Sequence, residues 1–146
     1  MEAKKELPNF GRCTQRVCLH FSTRLGLAEA QAARMGTAFG SGMGRAETCG
    51  CVSGALLVLG LLYGADAVGE PISDELRKRV ALFEERFLEQ QKSLLCKDIL
   101  GVDISCSKGM ETAMAQGIIS STCGPLIAAT CAILDDITQG ATAPQE

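Results

Sequence analysis

Apolar residues recur along this chain at helical spacing, and strand signals are almost absent. No stretch alternates apolar and polar residues at period two, and no Asn-Gly or Asp-Gly turn joins β-branched segments. Asn9 is positioned to cap a first helix whose inward line, Cys13, Val17, Phe21 and Leu25, recurs every fourth residue and stops at Gly26. A second helical pattern covers residues 28–39, with Ala28, Ala32, Met35 and Phe39 on one face. Residues 46–64 form a third. The stretch from Gly50 to Ala65 carries no charge, but at about 16 residues it is shorter than the ~20 that cross a bilayer. It ends at Asp66, so the pattern predicts a Gly-rich helix buried on all sides, closely packed at Gly54 and Gly60.

Pro71 interrupts the chain and Ser73 caps a fourth helix, with Leu76, Val80, Phe83, Phe87 and Leu94 on one stripe, ending near Gly101 after Cys96. Met110, Met114 and Ile118 suggest a short helix. Ser121-Thr122-Cys123-Gly124-Pro125 reads as the start of a last one, because proline is tolerated in a first turn. Leu126, Ala129, Ile133 and Ile137 are its inward stripe. The expected fold is all-α: a compact bundle of five to six helices around a buried Gly-rich central helix. Residues 9–138 make one domain, flanked by a flexible N-terminus (1–8) and a flexible tail (139–146).

Composition narrows the function classes. A net charge of −3 and no basic run longer than Lys4-Lys5 argue against a nucleic-acid partner. The first ten residues have no apolar core of a secretory signal, and no membrane span is expected, so the setting inferred is cytoplasmic. Eight cysteines in a reducing compartment suit metal ligation or redox thiols better than a disulfide framework. Some are expected to be plain core residues, since free cysteine packs as a small hydrophobe.

Spacing excludes several chemistries. There is no C-x-x-C, hence no thioredoxin motif or zinc ribbon, and no ferredoxin spacing. One histidine, His20, stands two turns from Cys13, too far to share an ion, and reads as a satisfied or partly exposed side chain. Gly40, Gly42 and Gly44 alternate in a loop that permits close backbone approach, which makes them candidates for binding a cofactor, but the spacing is not that of a dinucleotide fingerprint. No G-x-S-x-G supports a hydrolase. Position along the helices separates the cysteines. Cys49 and Cys123 fall at expected helix N-termini, where the dipole favours thiolate. Cys13 faces inward in the first turns of its helix, and Cys96 lies near a helix end with Lys92 and Lys97 close in sequence. These four could converge at one end of a bundle as soft ligands of a metal. Cys49, next to the glycine loop and Arg45, is the leading reactive sulfur, with Cys51 as its rival. Cys131 reads as a core residue and Cys18 as a packing or surface residue; Cys106 is unassigned.

The order of these features resembles the C_GCAxxG_C_C family of redox-active proteins, and also the C-terminal part of split-Soret cytochrome c. The resemblance rests on Cys13-Thr14-Gln15, the LGLAEAQAARMGTAFGSGMG block, CGCVSGALLVLGLLYG, CKDILGVDIS around Cys96 and CGPLIAATCAIL around Cys123, together spanning residues 12–137. It implies that the family's recurring cysteines map to Cys13, Cys49, Cys96 and Cys123. Cys51 stands where a small apolar residue is usual. Three function classes follow. In the first, Cys13, Cys49, Cys96 and Cys123 hold a metal or iron–sulfur centre that transfers electrons to a redox partner protein. In the second, a metal-free pair such as Cys49 and Cys96 cycles between dithiol and disulfide, acting as the catalytic sulfurs. In the third, the chain is a helical interaction module whose cysteines only pack. A remaining apolar face could be covered by a second copy in a homodimer.

Overall fold

The structure is a computed structural model that describes residues 7–144. Among them lie seven α-helices: α1 (Cys13–His20), α2 (Glu29–Gly36), α3 (Gly50–Tyr63), α4 (Asp74–Gln90), α5 (Cys96–Leu100), α6 (Ser107–Ala115) and α7 (Ile118–Thr138). A short 3-10 turn, Thr37–Phe39, extends α2, and no strand is present among the described residues apart from one isolated bridge between Thr48 and Leu95. The all-α expectation holds, with more helices than the periodicity suggests. Gln91 turns to extended backbone (φ −124°, ψ 144°) and ends α4, so Cys96 begins a separate short helix instead of closing a long one. Gly117, in the left-handed region at φ 63°, separates α6 from α7, and the Met110–Met114–Ile118 line straddles that break; Met114 is exposed. The last helix begins at Ile118, not at Ser121, and Pro125 sits inside it. The first helix begins at Cys13 with Arg12 at its cap position, leaving Asn9 outside.

Helix α3 packs against α1, α4 and α7. Val52, Ala55, Val58, Leu59 and Leu62 meet Val17, Phe21 and Leu25 of the α1 region, Phe83 and Phe87 of α4, and Leu126, Leu134 and Ile137 of α7. A smaller cluster, Ala46, Cys96, Leu100, Ile104 and Ala113, lies beneath α5 and α6. The central helix is not buried on all sides, as its charge-free sequence suggests: Leu56 is 37% exposed and Gly60 faces solvent. Among the described residues α7 is long and apolar enough to cross a membrane by length and composition; here it packs against α1, α3, α4 and α6.

The tightest contact is the crossing of α1 and α3. A Cβ at Gly54 would lie 2.9 Å from Val17 Cβ, and one at Gly50 would lie 2.9 Å from both Cys13 Cβ and Thr14 Oγ1. Thr14, fully buried, donates to the Gly50 carbonyl at 2.9 Å and shares a 3.1 Å hydrogen bond with Ser53 Oγ. Gly36 approaches α1 from the other side, so α2 clamps it in place. At the far end, the Arg24 guanidinium donates to Asp135 at 2.8 Å, to Thr138 and to the Ala141 carbonyl. The Ala143 N–H bonds the Arg24 carbonyl in return, so the expected flexible tail is fastened this far; residues 145–146 lie outside the described residues. So do residues 1–6 of the expected flexible N-terminus, and Leu7 is 90% exposed.

Glycines within one helix therefore carry different weights. Gly54→Leu is expected to destabilise the protein by about 1–3 kcal/mol or more through overpacking against Val17. Gly60→Ala should be neutral or stabilise by up to roughly 1 kcal/mol, because nothing lies near its missing Cβ and alanine is the better helix former. Melting temperatures of the two variants test this, and equal shifts would mean that the α1–α3 crossing is not as close as described.

Candidate functional site

Four of the eight cysteines, Cys13, Cys49, Cys96 and Cys123, line one cavity of about 670 Å³. Backbone geometry accounts for each position. Cys13 is the first residue of α1 and rests against the Cα of Gly50. Cys49 is the cap residue of α3, with extended backbone (φ −52°, ψ 136°). Its N–H donates to the Leu94 carbonyl at 2.8 Å, while the Cys96 N–H donates to the Glu47 carbonyl at 2.6 Å. With the Thr48–Leu95 bridge these bonds form a minimal antiparallel ladder that holds Cys49 and Cys96 side by side. Cys123 reaches the cavity from the second turn of α7. The N-terminal position expected for it is corrected, and with it the argument that the helix dipole favours its thiolate.

A fifth sulfur joins the site. Cys51, fully buried in the first turn of α3, neighbours both Cys13 and Cys49, and its single S–H is shared between them. Two residues apart on a regular helix would point nearly opposite ways. The contact between Cys49 and Cys51 exists because Cys49 is not yet helical. Sequence spacing left the choice between them open; in the structure Cys49 lines the cavity and Cys51 is its buried proton donor.

Charge is unevenly shared among these thiols. Hydrogen bonds from Cys123 and then Cys51 hold the Cys13 thiol well below its usual range against the effect of burial, and the Arg16 guanidinium adds to this. Cys49 is lowered chiefly by the Cys51 S–H. The donors pay in kind: Cys51 and Cys123 are pushed up by holding those bonds and by burial. Cys96 is pushed up to about 12 by burial and by the charges of Cys49, Cys13 and Asp103. The network thus favours the thiolate at Cys13 and Cys49 and the thiol at Cys51, Cys96 and Cys123. Cys13 is also partly exposed where Cys49 is 6% exposed, so the most available thiolate is Cys13. Arg45, expected to assist Cys49, is exposed, and the guanidinium that acts on this site is Arg16.

The remaining candidates fall elsewhere. Cys18 and Cys131 are buried outside the cavity, and burial raises each thiol to about 11. Cys106 is exposed and caps α6, accepting from the Gly109 N–H at 3.4 Å. His20 is exposed beside Asp135, at 3.3 Å. Gly40, Gly42 and Gly44 do not line the cavity. The space a side chain would need at Gly40 is taken by the Gly11 backbone, and at Gly42 by Glu47. Ser41, Gly42, Met43, Gly44 and Ala46 all have positive φ, so the loop is a strained buttress between the segment entering α1 and the ladder at Cys49. Among the described residues no three His, Cys, Asp or Glu side chains are grouped for a single metal ion. Cys51 was legible from sequence only as a rival of Cys49, and Arg16 was not singled out. The helical register of Arg16, three residues after Cys13, was the available signal for the second.

A family model described as "Putative redox-active protein (C_GCAxxG_C_C)" matches residues 12–137. No curated protein and no solved structure matches the chain. The chain belongs to the C_GCAxxG_C_C family, whose description is redox activity.

Residue-resolved alkylation of the metal-free protein across pH tests the charge assignment. Cys13 should label at the lowest pH, since its thiolate survives to lower pH than an ordinary thiol near 8.5. Cys18 and Cys131 should label last. Cys51→Ala removes an S–H donor from both Cys13 and Cys49, and should move their labelling to higher pH. Labelling of Cys18 or Cys131 ahead of Cys13, or unchanged curves in Cys51→Ala, would refute the network.

Proposed function

We propose that Cys13, Cys49, Cys96 and Cys123 are the ligands of an iron–sulfur or related thiolate-bound centre, and that the protein transfers electrons between it and a partner protein. The observation that carries this reading is the convergence of four thiols from α1, α3, α5 and α7 on one cavity. Soft thiolates select iron–sulfur clusters, zinc and copper(I). The donor set suits a polynuclear cluster better than a lone ion: clusters are held by four cysteines, which need not all reach one metal atom, and no tight three-donor group exists among the described residues. Bound there, such a centre would supply one-electron chemistry.

The chain's own residues prepare for cationic cargo. The thiolate is favoured at Cys13 and Cys49, and charge there disfavours ionisation of Cys96 and Cys123. Ligation requires those two to lose their protons, so occupancy should strengthen as pH rises. Eight free cysteines accord with a reducing, cytoplasmic setting.

A metal-free dithiol is the second reading, favoured by the direct S–H contacts of Cys13 with Cys123 and of Cys49 with Cys51. The pairing expected from sequence, Cys49 with Cys96, stands beside these as a candidate dithiol, since the ladder holds the two residues side by side.

Anaerobic purification followed by iron and sulfide analysis and an absorbance spectrum tests the first reading. Serine at Cys13, Cys49, Cys96 or Cys123 should each cut bound iron severalfold, whereas Cys106→Ser and Cys18→Ser should retain it. An iron-free protein that loses two free thiols on mild oxidation would support the dithiol reading instead. An iron-free protein with eight unreactive thiols would leave only packing.

A further inference from the structure

The cavity has more lining than its thiols. Phe10, Ile104, Met110, Met114, Ile119 and Ile127 form an apolar wall, and Met114 is 66% exposed. At about 670 Å³ the cavity lies within the ~300–1,000 Å³ of typical small-molecule sites, which combine apolar walls with a few placed polar groups. The placed groups are Arg12 and Arg16, both exposed, one turn apart on the side of α1 that also carries Cys13. Arg24, Arg77, Arg79 and Arg86 are each paired with a carboxylate. Among the described residues Arg12 and Arg16 have no carboxylate partner: Arg12 makes a long 3.4 Å bond to Gln15 Oε1, and the charge of Arg16 is felt at Cys13. Nor, among the described residues, do Arg34 and Arg45, but neither lines the cavity. At the edge of this apolar cavity, two guanidiniums one turn apart offer paired N–H donors in the fork geometry that suits an anionic head group.

We propose that this cavity binds a small amphipathic organic anion, its apolar body against the Phe10–Met110–Met114 wall and its anionic head between Arg12 and Arg16. Guanidinium geometry suits a carboxylate or a phosphate monoester equally, since both accept paired N–H donors. The ligand would lie beside the most available thiolate of the site. The inference rests on the cavity lining and not on the presence of a metal, so a protein without iron leaves it standing.

Isothermal titration with four eight-carbon probes below their micellar concentrations tests it, on the protein as purified and after metal removal. Octanoate or octyl phosphate should bind saturably at one site, and the tighter of the two identifies the head group. Octanol should bind at least tenfold more weakly and octylamine not at all. The double variant Arg12→Gln/Arg16→Gln, at two exposed positions where folding should be unaffected, should weaken anion binding at least tenfold, with circular dichroism confirming the fold. Nuclear magnetic resonance shifts should map the anion to Met110 and Met114. Absence of saturable binding by both anions, equal affinity for octanol, or unchanged anion binding in the double variant would each overturn the proposal.

Discussion

Everything at the cysteine site depends on how closely α1 and α3 cross. Without side chains at Gly50 and Gly54, the two helices approach until Thr14 can reach the Gly50 carbonyl and Ser53. A buried hydroxyl is costly unless bonded, so this pin fixes the register of the crossing as well as its distance. The first turn of α1 and the first turn of α3 are thereby held together, and Cys13 becomes a neighbour of Cys49 and Cys51 although it comes from a separate stretch of chain. A bulkier residue at either glycine would separate the sulfurs as well as loosen the core.

The helical content was legible because the apolar repeats are strong: Val17, Phe21 and Leu25, then Phe83 and Phe87, then Leu126, Ile133 and Ile137 all face the core as their spacing indicates. Element ends were less so. Nothing in local propensity stops α4 at Gln90 or starts α7 at Ile118; an extended segment before Cys96 is fixed by the long-range pairing of Thr48 with Leu95. Burial was misjudged where composition was the guide. The absence of charge from Gly50 to Ala65 says that the segment tolerates burial, not that neighbours exist to cover Gly60 or Leu56. For the site, position along helices selected the four cavity-lining cysteines: Cys49 stands at a helix start as expected, and Cys13, expected within the first turns of its helix, is that helix's first residue. Cys123 reached the same cavity for another reason, since it belongs to the second turn of its helix. The role of Cys51 needed the cap geometry of Cys49, which spacing does not encode.

The thiol network illustrates a limit on packing acidic groups together. Each thiolate lowers its own energy by taking an S–H from a neighbour, and that neighbour then becomes harder to ionise. Ionisation at Cys13 and Cys49 is favoured at the expense of Cys123 and Cys96, as the opposed shifts of Cys13 and Cys123 and the rise at Cys96 indicate. The same accumulation explains why Arg16 matters more than its exposure suggests: it is the nearest compensating charge that the chain itself provides.

The lash between Arg24 and the end of α7 bears on the order in which the molecule can be made. Asp135, Thr138 and Ala141 leave the ribosome long after Arg24, and Cys123 long after Cys13. Closing so long a loop is an entropic cost that no local contact offsets. During synthesis, Cys13, Cys49 and Cys51 can meet while the side of the cavity formed by α7 is still missing. A nascent chain thus exposes a half-built thiol pocket until α7 docks, and the Arg24 lash is one of the contacts that hold α7 in place.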